Sequence, residues 1–189
     1  MTPVLILAAG QSRRMRGTDK LMQDVGGRTL LRRQIDIASP IGPVFVALPA
    51  SDHPRLTALV GTKAAALDVP QSAGGIGGTL RGAVPHLPEG PFMLLLADLI
   101  GLNTSDLQDV IQAMNEHRDH LIWRGATPDG KAGHPVIFAQ SLRGEFAQLE
   151  GDEGFKSHRD KTYLHRFNDN RARQDLDTPE DFDAWRKTS

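Results

Sequence analysis

The sequence predicts an α/β fold, with three α/β/α layers and a mostly parallel central sheet. Two observations predict it. Short apolar runs alternate with helical patterns through the first two-thirds of the 189 residues. That rhythm implies parallel strands with helices on both faces. The run Phe92-Met93-Leu94-Leu95-Leu96-Ala97 contains no polar residue, as befits a central strand buried on both faces. A chain of this length is expected to fold as one domain, over 1–189, with a substantial apolar core.

The first strand is Val4–Leu7. Leu30, Leu31, Gln34, Ile35 and Ala38 then recur at helical spacing, and Pro40 closes that helix. Val44–Leu48 is a second strand ended by Pro49, 53–60 a short helix and 65–69 a third strand. Residues 74–78 are expected to form a loop and 79–84 a helix. After the strand at Phe92, Thr104 or Ser105 can cap a helix with Leu107, Val110, Ile111 and Met114 on its inner face. Residues 120–123 and 135–138 read as two strands of a hairpin-like insertion around Pro128-Asp129-Gly130-Lys131. A helix over 141–149 and a strand at Thr162–Arg166 follow. Thr178-Pro179-Glu180-Asp181 starts a last helix, with a capping threonine, proline at the first helical position and acids in the first turn.

Lys and Arg number 22 against 23 Asp and Glu, so no global field points to nucleic acid or an anionic membrane. Positive charge is instead concentrated locally, between Arg13 and Lys20. The chain has no cysteine, which excludes disulfides, thiolate nucleophiles and cysteine-ligated zinc or iron–sulfur clusters. The first apolar run is too short for a signal peptide and lacks a basic flank, and no run approaches the roughly 20 residues of a membrane span. The expectation is a soluble, cytoplasmic protein without nucleic-acid or membrane partners.

Open α/β sheets bind ligands beyond the carboxyl ends of their strands, and three features fall there. Residues 8–20 leave the first strand as a small, flexible turn that carries Arg13, Arg14, Arg16 and Lys20. Backbone N–H groups at such a turn can cradle phosphate oxygens. Arginine forks and the lysine point charge can meet the negative charge. A plain βα turn with solvated arginines is the competing explanation. The segment is no Walker A loop, lacking Gly-Lys-Ser/Thr, and no dinucleotide fingerprint, lacking further glycines. Gly74-Gly75-Ile76-Gly77-Gly78 with Thr79 either opens a helix N-terminus towards a nucleotide or is a flexible turn. Asp98 ends the apolar strand, where a carboxylate must be solvated, hydrogen-bonded or bound to a cation. Magnesium held by one or two carboxylates and substrate phosphates fits that position; capping of the following turn is the alternative. A lone histidine at a strand entry, such as His134, is more often structural than catalytic, and helix capping explains Asp175 and Asp177 as well as metal binding does.

Leu7-Ala8-Ala9-Gly10-x-Ser12-x-Arg14-Met15-x-Gly17-x-Asp19-Lys20 resembles the signature of the MobA-like nucleotidyltransferases, which include the molybdenum cofactor guanylyl- and cytidylyltransferases. Gly75-Ile76-Gly77-Gly78-Thr79-Leu80-Arg81 stands where the cytidylyl branch has Gly-Met-Ser-Ser-Ser-Leu. Leu95-Leu96-Ala97-Asp98 resembles the family's metal-binding strand end. Gly133-His134-Pro135-Val136-Ile137-Phe138, Leu149-Glu150-Gly151-Asp152-Glu153-Gly154 and Asp175-Leu176-Asp177-Thr178-Pro179-Glu180-Asp181 resemble three later motifs. The matches run in family order from Leu7 to Asp181.

This resemblance implies a Rossmann-like fold and magnesium-dependent transfer of NMP from an NTP to a phosphorylated acceptor such as molybdopterin, with loss of pyrophosphate. A molybdoenzyme is the implied onward partner. Such transfers are catalysed by positioning and charge neutralisation rather than by a protein nucleophile. By position, Leu7, Ala8, Ala9, Gly10 and Ser12, with Gly75 and Thr79, would bind the nucleotide. Arg14 and Lys20 would meet the triphosphate, Asp98 and Asp177 would hold Mg2+, and His134 would face the acceptor. Arg16 replaces a glycine of the guanylyl branch, Gly77 and Gly78 replace two serines, and Ile100 replaces a proline. These departures bear on the choice of acceptor, while Ala9 favours CTP over GTP. The alternatives are a sugar phosphate or other phosphorylated metabolite as acceptor, and a non-catalytic nucleotide-binding chaperone of cofactor insertion.

Overall fold

A computed structural model describes residues 1–50, 52–70, 75–149 and 158–187. Seven strands form one sheet: β1 (Val4–Leu7), β2 (Val44–Leu48), β3 (Ala65–Asp68), β4 (Phe92–Leu96), β5 (Ile122–Ala126), β6 (Ala132–Phe138) and β7 (Thr162–Arg166). Their spatial order is β3-β2-β1-β4-β6-β5-β7, which puts the all-apolar β4 at the centre. β1 pairs in parallel with β2 and β4, and β5 with β7, whereas β6 runs antiparallel to both β4 and β5. The expected hairpin therefore exists as an integral part of the sheet, with its second strand inserted beside β4.

Among the described residues, four α-helices cover the sheet: α1 (Leu30–Ala38), α2 (Gly75–Ala83), α3 (Thr104–Glu116) and α4 (Pro179–Arg186). Residues on each central strand alternate between two apolar layers, as a pleat with period two requires. Ile6, Val46, Met93 and Leu95 pack on one face with Leu31, Ile35, Leu107, Val110 and Phe182. Leu5, Leu94, Val136 and Phe138 pack on the other with Leu80, Ala83 and Phe146. Each fully buried side chain of this size contributes roughly 1.5–3 kcal/mol. These layers make the carboxyl edge of β1 and β4 a rigid platform.

Several local expectations change. Gly75, Gly77 and Gly78 lie in the first turn of α2 rather than in a loop, and Gly77 and Gly78 are buried, so missing side chains permit close packing. Gly74 lies outside the described residues. The cap of α3 is Asn103, not Thr104 or Ser105: its side chain accepts from Asp106 N, while Asp106 Oδ2 accepts from Asn103 N at 2.8 Å. Asn103 alone has the extended backbone (φ −133°) that a cap requires. The segments expected as helices over 53–60 and 141–149 are 3-10 turns, Pro54–Leu59 and Gln140–Gln148. Thr178 caps α4 through the expected box with Asp181.

Two contacts arrange the ligand edge. The first is a buried guanidinium. Arg55, only 2% exposed, donates through Nε to Asp19 Oδ2 at 2.7 Å and through Nη2 to Asp19 Oδ1 at 2.8 Å. Its Nη1 donates to the Ala8 carbonyl. The segment after β1 is thus tied at both ends to the turn after β2. Burial works against the Asp19 charge, but the hydrogen bonds and charge of Arg55 outweigh it, so the carboxyl titrates below its usual range.

The second contact docks the C-terminal segment on the end of β4. Leu176 N donates to the Asp98 carbonyl at 3.1 Å, and Ile100 N donates to the Gln174 carbonyl at 2.9 Å. Gly133 permits this docking: a Cβ there would lie 2.3 Å from the Ala172 carbonyl oxygen.

Gly133→Ala should therefore destabilise the protein by about 1–3 kcal/mol in chemical denaturation, whereas Gly144→Ala, with open space around its Cβ, should stay close to wild type. Arg55→Ala should cost about 3 kcal/mol, since it strands a carboxylate and a carbonyl. The depressed folded pKa of Asp19 makes its contribution fully present above the unfolded value of about 3.9 and lost as pH falls through the folded value. The stability gap between wild type and Asp19→Asn should accordingly be widest at neutral pH and close below about pH 4; a gap independent of pH would refute the pairing.

Candidate active site

Residues 8–20 leave the carboxyl end of β1 as an irregular loop with a 3-10 turn at Arg13–Met15. Ser12 and Arg16 adopt left-handed backbone conformations, φ 48° and 52°, an arrangement that non-glycine residues reach only with strain. Ser12 Oγ donates to Asp19 Oδ1 at 3.2 Å and accepts from Lys20 N at 3.3 Å, so the loop closes on itself just before Lys20. Two adjoining clefts share Gly10, Gln11 and Ser12. One, of about 430 Å³, runs between Ala9 and Pro49, His53 and Arg55. The other, of about 400 Å³, holds Leu7, Arg14, Lys20, Asp98, Asp175 and Asp177.

Lys20 is the centre of the second cleft. Its Nζ stands 2.6 Å from Asp98 Oδ2 and 2.6 Å from Asp177 Oδ1. Burial alone would depress the ammonium, but the two carboxylates outweigh it and raise its pKa. Arg14 pairs with the second oxygen of Asp177. Arg16 reaches Glu180 Oε1 at 2.7 Å on the rim. Asp175 is pushed up by burial, with Asp177 and Asp98 adding repulsion that Lys20 partly offsets. Loop cations are thus matched by Asp98 just after β4, Asp177 before α4 and Glu180 in the first turn of α4.

The donor set fits a hard divalent cation. Asp98 Oδ1 is buried and has no hydrogen-bond partner among the described residues, and the Asp98 and Asp177 carboxylates converge on one ammonium. Among the described residues no three His, Cys, Asp or Glu side chains form a group that would hold an ion. Two carboxylates with ligand or water oxygens completing the shell is the arrangement magnesium favours. Open space lies where a Cβ on Gly10 would point, so the turn, Arg14 and Lys20 offer a polyphosphate backbone contacts and two cations.

Leu7, Gly10, Ser12, Arg14, Lys20, Asp98 and Asp177 therefore come together, and Ala9 lines the neighbouring cleft. Ala8 is buried, with its N–H on Ala47 and its carbonyl on Arg55. Gly75 and Thr79 line neither cleft; the Thr79 hydroxyl donates to the Gly75 carbonyl at 3.1 Å. His134 sits on β6, two residues from Val136, the partner of Leu94. Burial, with Arg124 and Arg173 nearby, pushes its pKa down to about 4, against a weak contact to the Leu94 carbonyl. Of the Leu149 motif, residues 150–154 lie outside the described residues. Arg55 went unnoticed in the sequence: its partner Asp19 is 36 positions away, and an arginine after a strand carries no local signature. The Arg16–Glu180 contact spans 164 positions and was equally hidden.

Three comparisons bear on identity. Residues 4–166 match the MobA-like NTP transferase domain. The chain is 31% identical over 139 residues to a molybdenum cofactor guanylyltransferase of Rhodopseudomonas palustris (strain BisB5), covering 72% of this chain and 65% of that protein. It is 38% identical over 138 residues to a molybdenum cofactor guanylyltransferase of Bradyrhizobium sp. (strain ORS 278), covering 71% and 64%. The chain thus spans just under two-thirds of the length of these curated relatives. Rv0371c of Mycobacterium tuberculosis H37Rv superposes with a TM-score of 0.80 at 26% identity, over 100% of this chain and 99% of that one. A manganese complex of Rv0371c aligns over the same shares, with a TM-score of 0.73 and 22% identity. The chain belongs to the MobA-like NTP transferase family.

Proposed function

We propose that this protein is a divalent-cation-dependent nucleotidyltransferase that moves NMP from an NTP to the terminal phosphate of a small acceptor. The observation that carries this reading is Lys20 held between Asp98 and Asp177 beside an open backbone turn. An acceptor phosphate oxygen attacks the α-phosphorus, the bond to the β-phosphate breaks, and pyrophosphate leaves. The turn at Gly10 and Ser12 orients the phosphates, with Ala9 and Leu7 towards base and ribose. Arg14 and Lys20 neutralise the charge that grows on the α-phosphate and the departing pyrophosphate. Asp98 and Asp177 would hold Mg2+, which draws charge from the phosphate oxygens when bound. The manganese complex of Rv0371c supports a divalent ion without choosing between the two metals.

Molybdopterin is the acceptor that the guanylyltransferase relatives suggest, and a molybdoenzyme the partner that would receive the product in the cytoplasm. Ala9 favours CTP as donor. The names of the two curated relatives favour GTP as the second reading. His134 would act from the acceptor side, whereas the place of Gly75 and Thr79 outside both clefts speaks against a direct nucleotide contact. Assays of pyrophosphate release with each NTP, molybdopterin and either Mg2+ or Mn2+ should show one preferred pyrimidine or purine donor. Nucleotide binding without turnover in every combination would refute the enzyme in favour of a binding protein.

Lys20→Ala and Asp98→Ala should each lower turnover by about 10²–10³-fold, the usual loss for one group that stabilises transition-state charge. Lys187→Ala, at the far end of α4, should leave turnover unchanged. Near-normal turnover in Asp98→Ala would remove the assignment of a metal ligand at the end of β4.

A further inference from the structure

Two arginines beside His134 take no part in the nucleotide cleft. Arg124, on β5, directs Nε and Nη2 onto the Gly133 carbonyl at 3.0 and 2.9 Å. Arg173 directs Nη1 onto the Ala132 carbonyl at 2.7 Å. Two guanidiniums therefore gather on successive carbonyls at the start of β6, and His134 is the next residue. Among the described residues neither arginine pairs with a carboxylate, and these carbonyls are the acceptors that their guanidiniums meet.

Such a cluster is electrostatically unfavourable as it stands. Burial and the neighbouring Arg173 hold the Arg124 guanidinium below its ordinary pKa. The same two arginines, after burial, help keep His134 neutral. Carbonyl dipoles do not neutralise two full charges, and the partly buried Arg124 sits beside the exposed Arg173 with no counter-ion. Planar forks with free N–H groups are suited to a phosphate.

Position identifies which phosphate. In the sheet, β4 lies between β1 and β6. The loop bearing Arg14 and Lys20 stands on one side of the β4 end, and the arginine pair on the other. The pairing of Leu94 with Val136 brings the start of β6 level with the end of β4, where Asp98 lies. The segment that carries Arg173 continues into Asp175 and Asp177.

We propose that Arg124 and Arg173 form a second anion subsite, which binds the phosphate of the acceptor opposite the triphosphate. The identity of this anion rests on the nucleotidyltransferase reading. Held there as a dianion, the acceptor phosphate forms a new bond from one oxygen to the α-phosphorus as the electron pair of the α–β bridge leaves with pyrophosphate. Charge balances without any proton transfer, so the subsite needs cations rather than a base.

The test is calorimetric titration of inorganic phosphate into the whole protein, with the nucleotide cleft filled by α,β-methylene-CTP or α,β-methylene-GTP. Arg173→Ala and Arg124→Gln should each weaken phosphate at least about 10-fold, the loss of one charged contact at roughly 1.4 kcal/mol per decade. Arg173→Lys should recover part of the loss. In turnover, Arg173→Ala should raise KM for the acceptor about 10-fold and leave KM for the NTP unchanged. Arg173 is exposed, so its substitution tests the subsite even if Arg124→Gln fails to fold. Phosphate affinity unchanged in Arg173→Ala would overturn the subsite and leave the nucleotide reading intact. If neither methylene nucleotide binds, the same titration without it still decides: phosphate binding that depends on Arg173 upholds the subsite while the nucleotide reading falls.

Discussion

The ligand edge of this molecule depends on one buried ion pair. Arg55 reaches from the turn after β2 to both oxygens of Asp19, to Ser12 Oγ at 3.3 Å and to the Ala8 carbonyl. It therefore fixes the start, middle and end of a loop that has little regular structure and two residues in left-handed conformations. A loop in that state needs long-range contacts to persist, because its own backbone supplies few hydrogen bonds. Lys20 follows Asp19 directly, and its N–H donates to Ser12. Holding Asp19 is thus what aims the Lys20 ammonium at β4.

The same loop is closed from the opposite end of the chain. Asp177 takes Arg14 and Lys20, and Glu180 takes Arg16. These pairs differ in weight. Lys20 and its two acids are largely buried, where attraction is strong. Arg16 and Glu180 are mostly exposed, and such a pair adds little to stability. Arg16 also occupies a left-handed backbone position that glycine would adopt without strain. Stability therefore gives no reason for an arginine there. What Arg16 adds is a positive charge, paired with Glu180, on the loop from which other residues line both clefts.

Much of this was legible in the sequence, because strands and their ends are written locally. Unbroken apolar runs located β1, β2 and β4, and the acid after β4 stood out because burial of a carboxylate demands a partner. The cap of α4 was visible for the same local reason. What stayed hidden depends on contacts distant in sequence. Asn103, Thr104 and Ser105 are all good caps by chemistry, and only the backbone chooses Asn103. Gly77 and Gly78 read as a loop by propensity, yet tertiary packing makes them the buried first turn of α2. The place of β6 between β4 and β5 is set by the sheet as a whole. Arg55 and the pair Arg124 and Arg173 acquire meaning only when strands far apart in sequence become neighbours.

Under the proposed function, charge accounting links the binding of a nucleotide to that of a cation in this cleft. Lys20 and Arg14 already share the carboxylates of Asp98 and Asp177. A divalent ion taking those carboxylates alone would leave two cations unpaired beside a new positive charge. A triphosphate taking the cations alone would leave two partly buried carboxylates facing an anion. Either step is opposed by electrostatics in a site of low dielectric. Arrival of both would exchange partners instead of creating unpaired charge, since Asp98 and Asp177 would hold the ion while Arg14 and Lys20 met the phosphates. The ion pairs of the cleft are thus the groups that would favour a metal–nucleotide complex over either component.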